Sequence, residues 1–217
     1  MTETAKLTAK YLLDIGAVFL RPDDPFTWSS GIKSPIYCDN RLILSAPEAR
    51  THVEQAIADT VRNVYPEAQA LMGTATAGIA HAAIAAHFLG IPMGYVRSGS
   101  KDHGRGRQVE GRLEQGWKVV VIEDLISTAG SAIEAAQALR DEGAEVLGIV
   151  SIFTYGMATG LKNLENAGLT NISLTDFDVL TELAAELGVI KPDDIQRLKA
   201  FRANPSDESW TEKGGSE

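Results

Sequence analysis

The sequence predicts an α/β protein with a central parallel sheet flanked by helices, because strand-like and helix-like stretches alternate along most of its length. The run Val-Val-Val-Ile at residues 119–122 is typical of a strand that is buried on both faces, as strands of parallel sheets are. With 217 residues, of which 44% are hydrophobic, the chain is long and apolar enough to form one domain with a substantial core.

The predicted elements follow from changes in apolar periodicity along the chain. The first is a helix over about residues 4–15, in which Leu7, Tyr11 and Leu12 share one face. Residues 16–45 are irregular and rich in proline and aromatic side chains, which predicts a small N-terminal hood over the sheet. Further helices are predicted over residues 47–64, 78–90, 131–142, 157–167, 176–187 and 192–202, and strands over residues 68–72, 92–97, 117–123, 145–152 and 170–174.

A candidate binding site lies where the most apolar strand ends. Glu123 and Asp124 follow that strand, and a turn of small and hydroxyl-bearing residues, 127–131, leads from them into a helix. Such a turn presents several backbone N–H groups to one point, which suits a phosphate. The two carboxylates suit the 2′- and 3′-hydroxyls of a ribose, directly or through a metal. The pattern therefore indicates a site for a ribose 5-phosphate.

Three other structures have a comparable strand and turn. A dinucleotide-binding turn requires G-x-G-x-x-G and an ATP-type phosphate loop requires G-x-x-x-x-G-K-[ST], and neither spacing occurs in the chain. The third is an ordinary strand–turn–helix in which Ser131 or Thr128 caps the helix. We disfavour it because two acids at the end of a buried strand are costly unless they serve a purpose.

Residues 97–112 form a second candidate site, because they are basic in an acidic chain. The stretch has five Lys or Arg residues and two acids, whereas the whole chain has 20 basic and 29 acidic residues and a net charge of −9. Its four glycines favour a mobile loop, and its cations require an anionic partner such as a pyrophosphate. A solvated loop of mixed charge is the alternative, which the neighbouring ribose-phosphate pattern disfavours.

These segments together resemble the orotate phosphoribosyltransferases, a family of type I phosphoribosyltransferases. The resemblance rests on R-x-x-x-K-D-H-G at 97–104, on the strand and turn at 119–131, and on the segment 26–37 with its Ser-Gly and Lys-Ser-Pro core. It extends from about residue 7 to about residue 202. It implies the fold of that family and transfer of the 5-phosphoribosyl group from phosphoribosyl pyrophosphate (PRPP) to orotate. The products would be orotidine 5′-monophosphate and pyrophosphate, in pyrimidine biosynthesis.

The resemblance also implies roles for individual residues. The catalytic residues would be Lys101, His103 and Asp124. PRPP would be bound by Arg97, Lys101, His103, Glu123, Asp124, Leu125, Ile126, Ser127, Thr128, Ala129, Gly130 and Ser131, and orotate by Ser127, Lys33 and Tyr155. Residues 73–78 would form a pyrophosphate loop, which in this fold often contains a non-proline cis peptide. Mg²⁺ would be carried by PRPP rather than held directly by the protein, and a homodimer would share its active sites between subunits.

The chain departs from some family members at four positions where those members carry a cation. The residues here are Ser29, Ala77, Ser98 and Tyr155. They leave open which residue binds the orotate carboxylate, although the reaction type is unaffected. One alternative is a phosphoribosyltransferase for uracil or a purine base, which would leave the basic loop and the 26–37 segment unexplained. Another is a non-catalytic PRPP-sensing regulator, which the complete catalytic loop disfavours.

Composition argues against several other classes of protein. A net charge of −9 argues against nucleic-acid binding, and no run approaches the roughly 20 apolar residues of a membrane span. The single cysteine, Cys38, excludes an internal disulfide, suits a reducing cytoplasm and is predicted to serve packing. His81 and His87 are not spaced as metal ligands and are predicted to be half-exposed. Residues 204–217 are polar without an apolar period, which predicts a flexible tail after a single domain over residues 1–203.

Overall fold

A six-stranded sheet forms the centre of the protein in a computed structural model that describes residues 2–27, 31–99 and 108–211. In chain order the strands are β1 (Val18–Leu20), β2 (Phe26–Thr27), β3 (Lys33–Ser34), β4 (Ile36–Cys38), β5 (Ala70–Thr74), β6 (Met93–Val96), β7 (Val109–Glu110), β8 (Lys118–Ile126), β9 (Glu145–Thr154) and β10 (Asn171–Asp176). The order across the central sheet is β10-β9-β8-β5-β6-β7. Neighbouring strands are parallel except β7, which runs antiparallel to β6. The predicted fold class is confirmed.

Helices cover both faces of this sheet. They are α1 (Glu3–Asp14), α2 (Pro47–Val64), α3 (Gly78–Leu89), α4 (Gly130–Asp141), α5 (Ala158–Asn166), α6 (Phe177–Glu186) and α7 (Asp194–Ala203), with 3₁₀ helices at Asn40–Ser45 and Ser209–Thr211. The side chains of Thr2 and Asp176 cap α1 and α6, and Pro47 occupies the first turn of α2, where a missing N–H is harmless. The predicted helices and central strands are present, with ends that agree within about three residues. Among the described helices, none combines the length and the apolar character that a membrane crossing requires.

The central strand β8 is buried on both faces, which explains its continuous apolar run. Val119 and Val121 belong to the core on the side of α4, whereas Val120 and Ile122 belong to the core on the side of α2 and α3. All four side chains are 0% exposed. The strand is therefore fixed from both sides, and the residues that follow its apolar run have a well-defined position at the edge of the sheet.

The hood consists of two small antiparallel pairs, β1 with β4 and β2 with β3. The C-terminal segment packs nearby, which differs from the flexible tail predicted by the sequence. Trp210 is 3% exposed and meets the ring of Phe201 edge-on, with 5.6 Å between the ring centroids. Arg197 on α7 donates hydrogen bonds to the carbonyl oxygen of Trp210 (3.0 Å) and to the carboxylate of Asp23 in the hood (2.8 Å). The tail prediction is therefore wrong for residues 204–211, because a single tryptophan anchor leaves no periodic pattern in the sequence.

Candidate active site

The candidate site lies at the carboxyl edge of the sheet, where β5 and β8 end side by side. The two strands remain paired as far as Gly73 and Ile122, so that Thr74 comes next to Glu123. The Thr74 hydroxyl donates a hydrogen bond of 2.7 Å to Oε1 of Glu123. Loops that leave adjacent parallel strands converge at this edge, which is where open α/β sheets bind their ligands. The structure thus brings together two segments that the sequence analysis singled out separately.

Glu123 is the buried member of the carboxylate pair, with an exposed fraction of 4%. Its Oε1 accepts a hydrogen bond from the backbone N–H of Asp124 (3.0 Å) as well as the one from Thr74. Its Oε2 accepts a hydrogen bond from the hydroxyl of Ser131 (2.8 Å). Burial raises the pKa of Glu123 to about 7, and the neighbouring Asp124 side chain acts in the same direction. Both oxygens of Glu123 accept hydrogen bonds from the protein, so a bound ribose hydroxyl would have to share them.

Residues 127–131 form a loop whose backbone is arranged for an anion. Ala129 has a φ of +66°, in the left-handed region, and Gly130 directly after it begins α4. In the described structure no side chain caps α4, since the N-cap position belongs to Ala129. The alternative in which Ser131 or Thr128 caps this helix is therefore wrong. The N–H groups of the first helical turn remain available to a phosphate oxygen.

Helix α5 supports the loop over residues 127–131. The side-chain amide of Asn163 donates a hydrogen bond of 3.0 Å to the carbonyl oxygen of Thr128. Gly160 lies so close to the loop that a Cβ atom at this position would come within 2.2 Å of the Ser127 carbonyl oxygen. A glycine is needed at position 160 because the helix approaches the loop backbone too closely for any side chain.

The loop over residues 73–78 lies between β5 and α3. It contains the non-proline cis peptide that the resemblance implies, between Ala75 and Thr76. Gly78 at its end is pressed against β8, because a Cβ atom there would lie 2.4 Å from the carbonyl oxygen of Ile122. The N-terminus of α3 is consequently held directly beside the carboxylate pair.

Arg97 reaches the same site from the end of β6. Together with Thr74 and Ser131 it lines a narrow cleft. Its guanidinium donates a hydrogen bond of 3.0 Å to the Glu110 carboxylate on β7, which fixes the arginine at the base of the basic loop. The other two predicted cations, Lys101 and His103, lie outside the described residues.

The three residues predicted to contact orotate have different surroundings. Ser127 belongs to the 127–131 loop, and Lys33 lies on β3, where its ammonium donates a hydrogen bond of 2.8 Å to the Glu208 carboxylate of the C-terminal segment. Tyr155 follows β9 directly, is 4% exposed and packs edge-on against Phe153, with 5.2 Å between ring centroids. Burial raises the pKa of Tyr155, so its phenol remains neutral.

Two buried polar contacts near the site have no signal in the sequence. His81 and His87 were both predicted to be half-exposed, but His87 is exposed and His81 is fully buried. Nδ1 of His81 lies 2.6 Å from Oε1 of the equally buried Glu54. This contact joins α2 to α3. The second contact is that of the Asn40 amide, which donates a hydrogen bond of 2.7 Å to the Asp124 carbonyl oxygen across 84 positions of sequence. Neither pair belongs to one periodic element, which is why pattern reasoning missed both.

The donor set fits a metal ion that arrives with a phosphorylated substrate. Within residues 2–27, 31–99 and 108–211, no group of three or more His, Cys, Asp or Glu side chains forms a potential metal site. Mg²⁺ is commonly bound through one or two carboxylates together with substrate phosphates and water. Both oxygens of Glu123 already accept hydrogen bonds from the protein, so a metal ion at this site would depend mainly on the oxygens of the substrate.

Comparison with known proteins assigns the family. A family model described as "Phosphoribosyl transferase domain" matches residues 41–179. The orotate phosphoribosyltransferase of Bacillus subtilis (strain 168) is 55% identical over 208 residues, which cover 96% of this chain and 96% of that relative. The chain belongs to the orotate phosphoribosyltransferase family. The family resemblance expected from the 26–37 and 97–104 segments is confirmed, and so is the enzyme class.

Solved structures of this family share the architecture. The orotate phosphoribosyltransferase from Aeropyrum pernix superposes with a TM-score of 0.72 at 31% identity, over 84% of this chain and 98% of that chain. The Mycobacterium tuberculosis H37Rv orotate phosphoribosyltransferase in complex with PRPP has a TM-score of 0.62 at 22% identity, over 83% of this chain and 99% of that chain. The second similarity concerns the fold alone. Members of the orotate phosphoribosyltransferase family act in pyrimidine biosynthesis.

Proposed function

We propose that this chain transfers the 5-phosphoribosyl group of PRPP to orotate at the carboxyl edge of β5 and β8. The observation that carries the proposal is the Glu123 carboxylate, which accepts a hydrogen bond from Ser131 in the first turn of the uncapped helix α4 and which Asp124 follows directly in the chain. A phosphate for the helix N-terminus and two vicinal hydroxyls for the acids are the parts of a ribose 5-phosphate. The products are orotidine 5′-monophosphate and pyrophosphate.

PRPP lies with its 5′-phosphate against the backbone of residues 127–131. The N–H groups at the start of α4 and the positive end of the helix dipole stabilise the negative charge. Asp124 accepts hydrogen bonds from the ribose hydroxyls, and Glu123 shares oxygens that already bind Thr74 and Ser131. Leu125 and Ile126, the last residues of β8, place this loop at the edge of the sheet.

The chemistry at the ribose requires positioning and charge stabilisation. Displacement of pyrophosphate builds positive charge on the sugar and negative charge on the leaving group, so preorganised donors near that group lower the barrier. Arg97 lies beside the 73–78 loop and is one such donor. Lys101 and His103 supply further donors when the 97–112 loop closes over the site and excludes water.

The second subunit of a homodimer provides the closing loop in this proposal. Mg²⁺ would enter with PRPP, carried by oxygens of the substrate rather than held directly by the protein, and it would neutralise charge on the pyrophosphate. The protein acts in the cytoplasm, for which a single unpaired cysteine and a biosynthetic reaction are the supporting arguments. The net charge of −9 argues against a nucleic-acid partner.

Orotate occupies the space between the phosphate-binding loop and the hood, with Ser127 at one side. Tyr155 is neutral and buried, so it contributes shape and packing rather than charge. Lys33 is the candidate for the orotate carboxylate, and to bind it the lysine must leave Glu208. This exchange costs little, since exposed ion pairs contribute about 0–1 kcal/mol.

Ultraviolet absorbance of orotate tests the proposal. Orotate is mixed with the protein, PRPP and Mg²⁺, and parallel reactions contain uracil or hypoxanthine in place of orotate. Loss of orotate absorbance that depends on both PRPP and metal is the expected result. Turnover of another base with orotate unchanged would contradict the assigned specificity. PRPP binding without turnover of any base would favour a regulator on the same fold.

A further inference from the structure

We propose that Asn40 is a positioning residue that fixes the Asp124 carboxylate for the ribose of PRPP. Asn40 lies directly after the hood strands and begins the 3₁₀ helix Asn40–Ser45. Asp124 lies on β8, so a contact between the two residues joins the hood to the centre of the sheet. The inference rests on the proposed role of Asp124 as an acceptor for the ribose hydroxyls.

Asn40 is buried, and both the nitrogen and the oxygen of its side-chain amide form hydrogen bonds. The residue is 1% exposed, which is unusual for an asparagine. Its Nδ2 donates a hydrogen bond of 2.7 Å to the Asp124 carbonyl oxygen, and its Oδ1 accepts one of 3.2 Å from the Cys38 thiol. A carbonyl oxygen can only accept a hydrogen bond, so the orientation of the amide is determined by chemistry. Burial raises the pKa of the Cys38 thiol, which keeps it protonated and able to donate.

Two side chains hold polar groups of the Asp124 main chain, in a part of β8 that still pairs with β9 but no longer with β5. The last pair between β5 and β8 is Gly73 with Ile122, so Asp124 lies beyond the ladder that joins these strands. Its N–H donates to Oε1 of Glu123 at 3.0 Å, and its carbonyl oxygen accepts from Asn40 at 2.7 Å. With both backbone polar groups of Asp124 held, the direction of its Cα–Cβ bond is fixed, which sets the point from which the carboxylate reaches into the site.

A change at Asn40 should therefore act on PRPP more than on orotate. Small displacements of a positioned group weaken binding and catalysis strongly, because the hydroxyls of the ribose require a defined acceptor geometry. Asn40 itself contacts Cys38 and Asp124, and it acts on the substrate through Asp124. A purely structural role would instead lower the thermal stability and affect both substrates alike.

Substitution of Asn40 by aspartate gives the sharpest test, because the two side chains have nearly the same shape. Asn40→Asp replaces the amide donor by a carboxylate oxygen that faces the Asp124 carbonyl oxygen. We expect kcat/KM for PRPP to fall roughly tenfold while KM for orotate changes by less than about twofold. Asn204→Asp is the matched control, since the exposed Asn204 uses its side-chain oxygen to accept the Ser206 N–H and aspartate retains that acceptor.

Substitutions at Cys38 provide a second test in case Asn40→Asp lowers the melting temperature. Cys38→Ala removes the donor to the Asn40 amide, whereas Cys38→Ser retains a hydroxyl donor at the same place. We expect KM for PRPP to rise about two- to threefold in the alanine variant, with partial or full recovery in the serine variant. Equal PRPP kinetics in both variants and in the parent protein would overturn the inference.

A double-mutant cycle with Asp124→Asn separates this inference from the function on which it rests. If Asn40 acts through Asp124, the double variant Asn40→Asp/Asp124→Asn should be no worse with PRPP than Asp124→Asn alone. Independent, additive losses would overturn the positioning role. If Asp124→Asn alone leaves PRPP kinetics unchanged, the proposed ribose contact fails, and the role of Asn40 fails with it. If Asp124→Asn weakens PRPP use and Asn40→Asp does not, only the inference about Asn40 fails.

Discussion

Replacement of Glu123 by glutamine removes a buried negative charge and keeps the shape of the side chain. Glu123 accepts hydrogen bonds from Thr74, Ser131 and the Asp124 N–H, and glutamine can retain most of them. In the folded protein the pKa of Glu123 is raised from an ordinary value of 4.5 to about 7, mainly by burial. The substitution therefore tests whether the buried, ionised carboxylate of Glu123 lowers the free energy of unfolding of the protein.

The sign and the size of the effect follow from proton linkage. The folded state binds the Glu123 proton more tightly than the unfolded state, so the free energy of unfolding falls as pH rises from about 4.5 to about 7. About one pH unit above 7 this loss is complete, and it amounts to about 3 kcal/mol. Glutamine does not titrate, so Glu123→Gln should be more stable than the parent protein at pH 8 by about 2 kcal/mol. This figure allows about 1 kcal/mol for one imperfect hydrogen bond.

Urea unfolding at pH 4.5 and pH 8 measures this difference directly. At pH 8 the free energy of unfolding of the variant should exceed that of the parent protein by about 2 kcal/mol, and at pH 4.5 there should be no gain. A thermal scan at pH 8 should show a melting temperature higher by about 4–8 °C. Glu67→Gln, at an exposed glutamate, is the matched control and should leave the pH dependence unchanged. If Glu123→Gln and the parent protein show the same pH dependence, Glu123 does not carry the raised pKa and the reasoning is refuted. The stabilised variant should also use PRPP less well.

Three further substitutions test other parts of the structure. Lys101→Ala should lower kcat by about 10²–10³-fold, comparable to the loss of one preorganised donor; an almost unchanged kcat would remove Lys101 from the mechanism. Gly160→Ala should raise KM for PRPP roughly tenfold, because the added methyl group would displace the phosphate-binding loop. Thr159→Ala on the same helix serves as its control, and equal KM values would contradict this account of Gly160. Trp210→Ala should lower the free energy of unfolding by about 3 kcal/mol in a denaturant titration. A change below about 1 kcal/mol would show that the C-terminal segment is not anchored as described.

Local chemistry explains why so much of the site was predictable. The acids at 123 and 124, the small-residue turn at 127–131 and the helix after it are consecutive in the chain, so they come together whenever β8 forms. Burial of the apolar run determines the position of β8 in the sheet, and the end of β8 determines where the turn over residues 127–131 lies. The sequence therefore predicted the right family, together with a candidate ribose-phosphate site in this segment. It also predicted the helix over residues 47–64 with its ends, since Pro47 marks the start.

Other features depend on residues that meet only in the folded chain. Asn40 and Asp124 are 84 positions apart, Lys33 and Glu208 are 175 positions apart, and neither contact belongs to a motif. The burial of Trp210 likewise depends on the position of α7. The sequence also could not show that Glu123 is buried while Asp124 is only partly buried, because two adjacent carboxylates have the same pattern in a sequence.

The sequence by itself determined the fold class, the family and the chemical groups of the candidate site, since these depend on periodicity and on residues adjacent along the chain. The tertiary structure alone decided that Glu123 is buried under three donors while Asp124 remains half-buried and is held through its backbone. The physical reason is that burial and hydrogen-bond partners are properties of packing, and packing brings distant segments to one point at the end of β8.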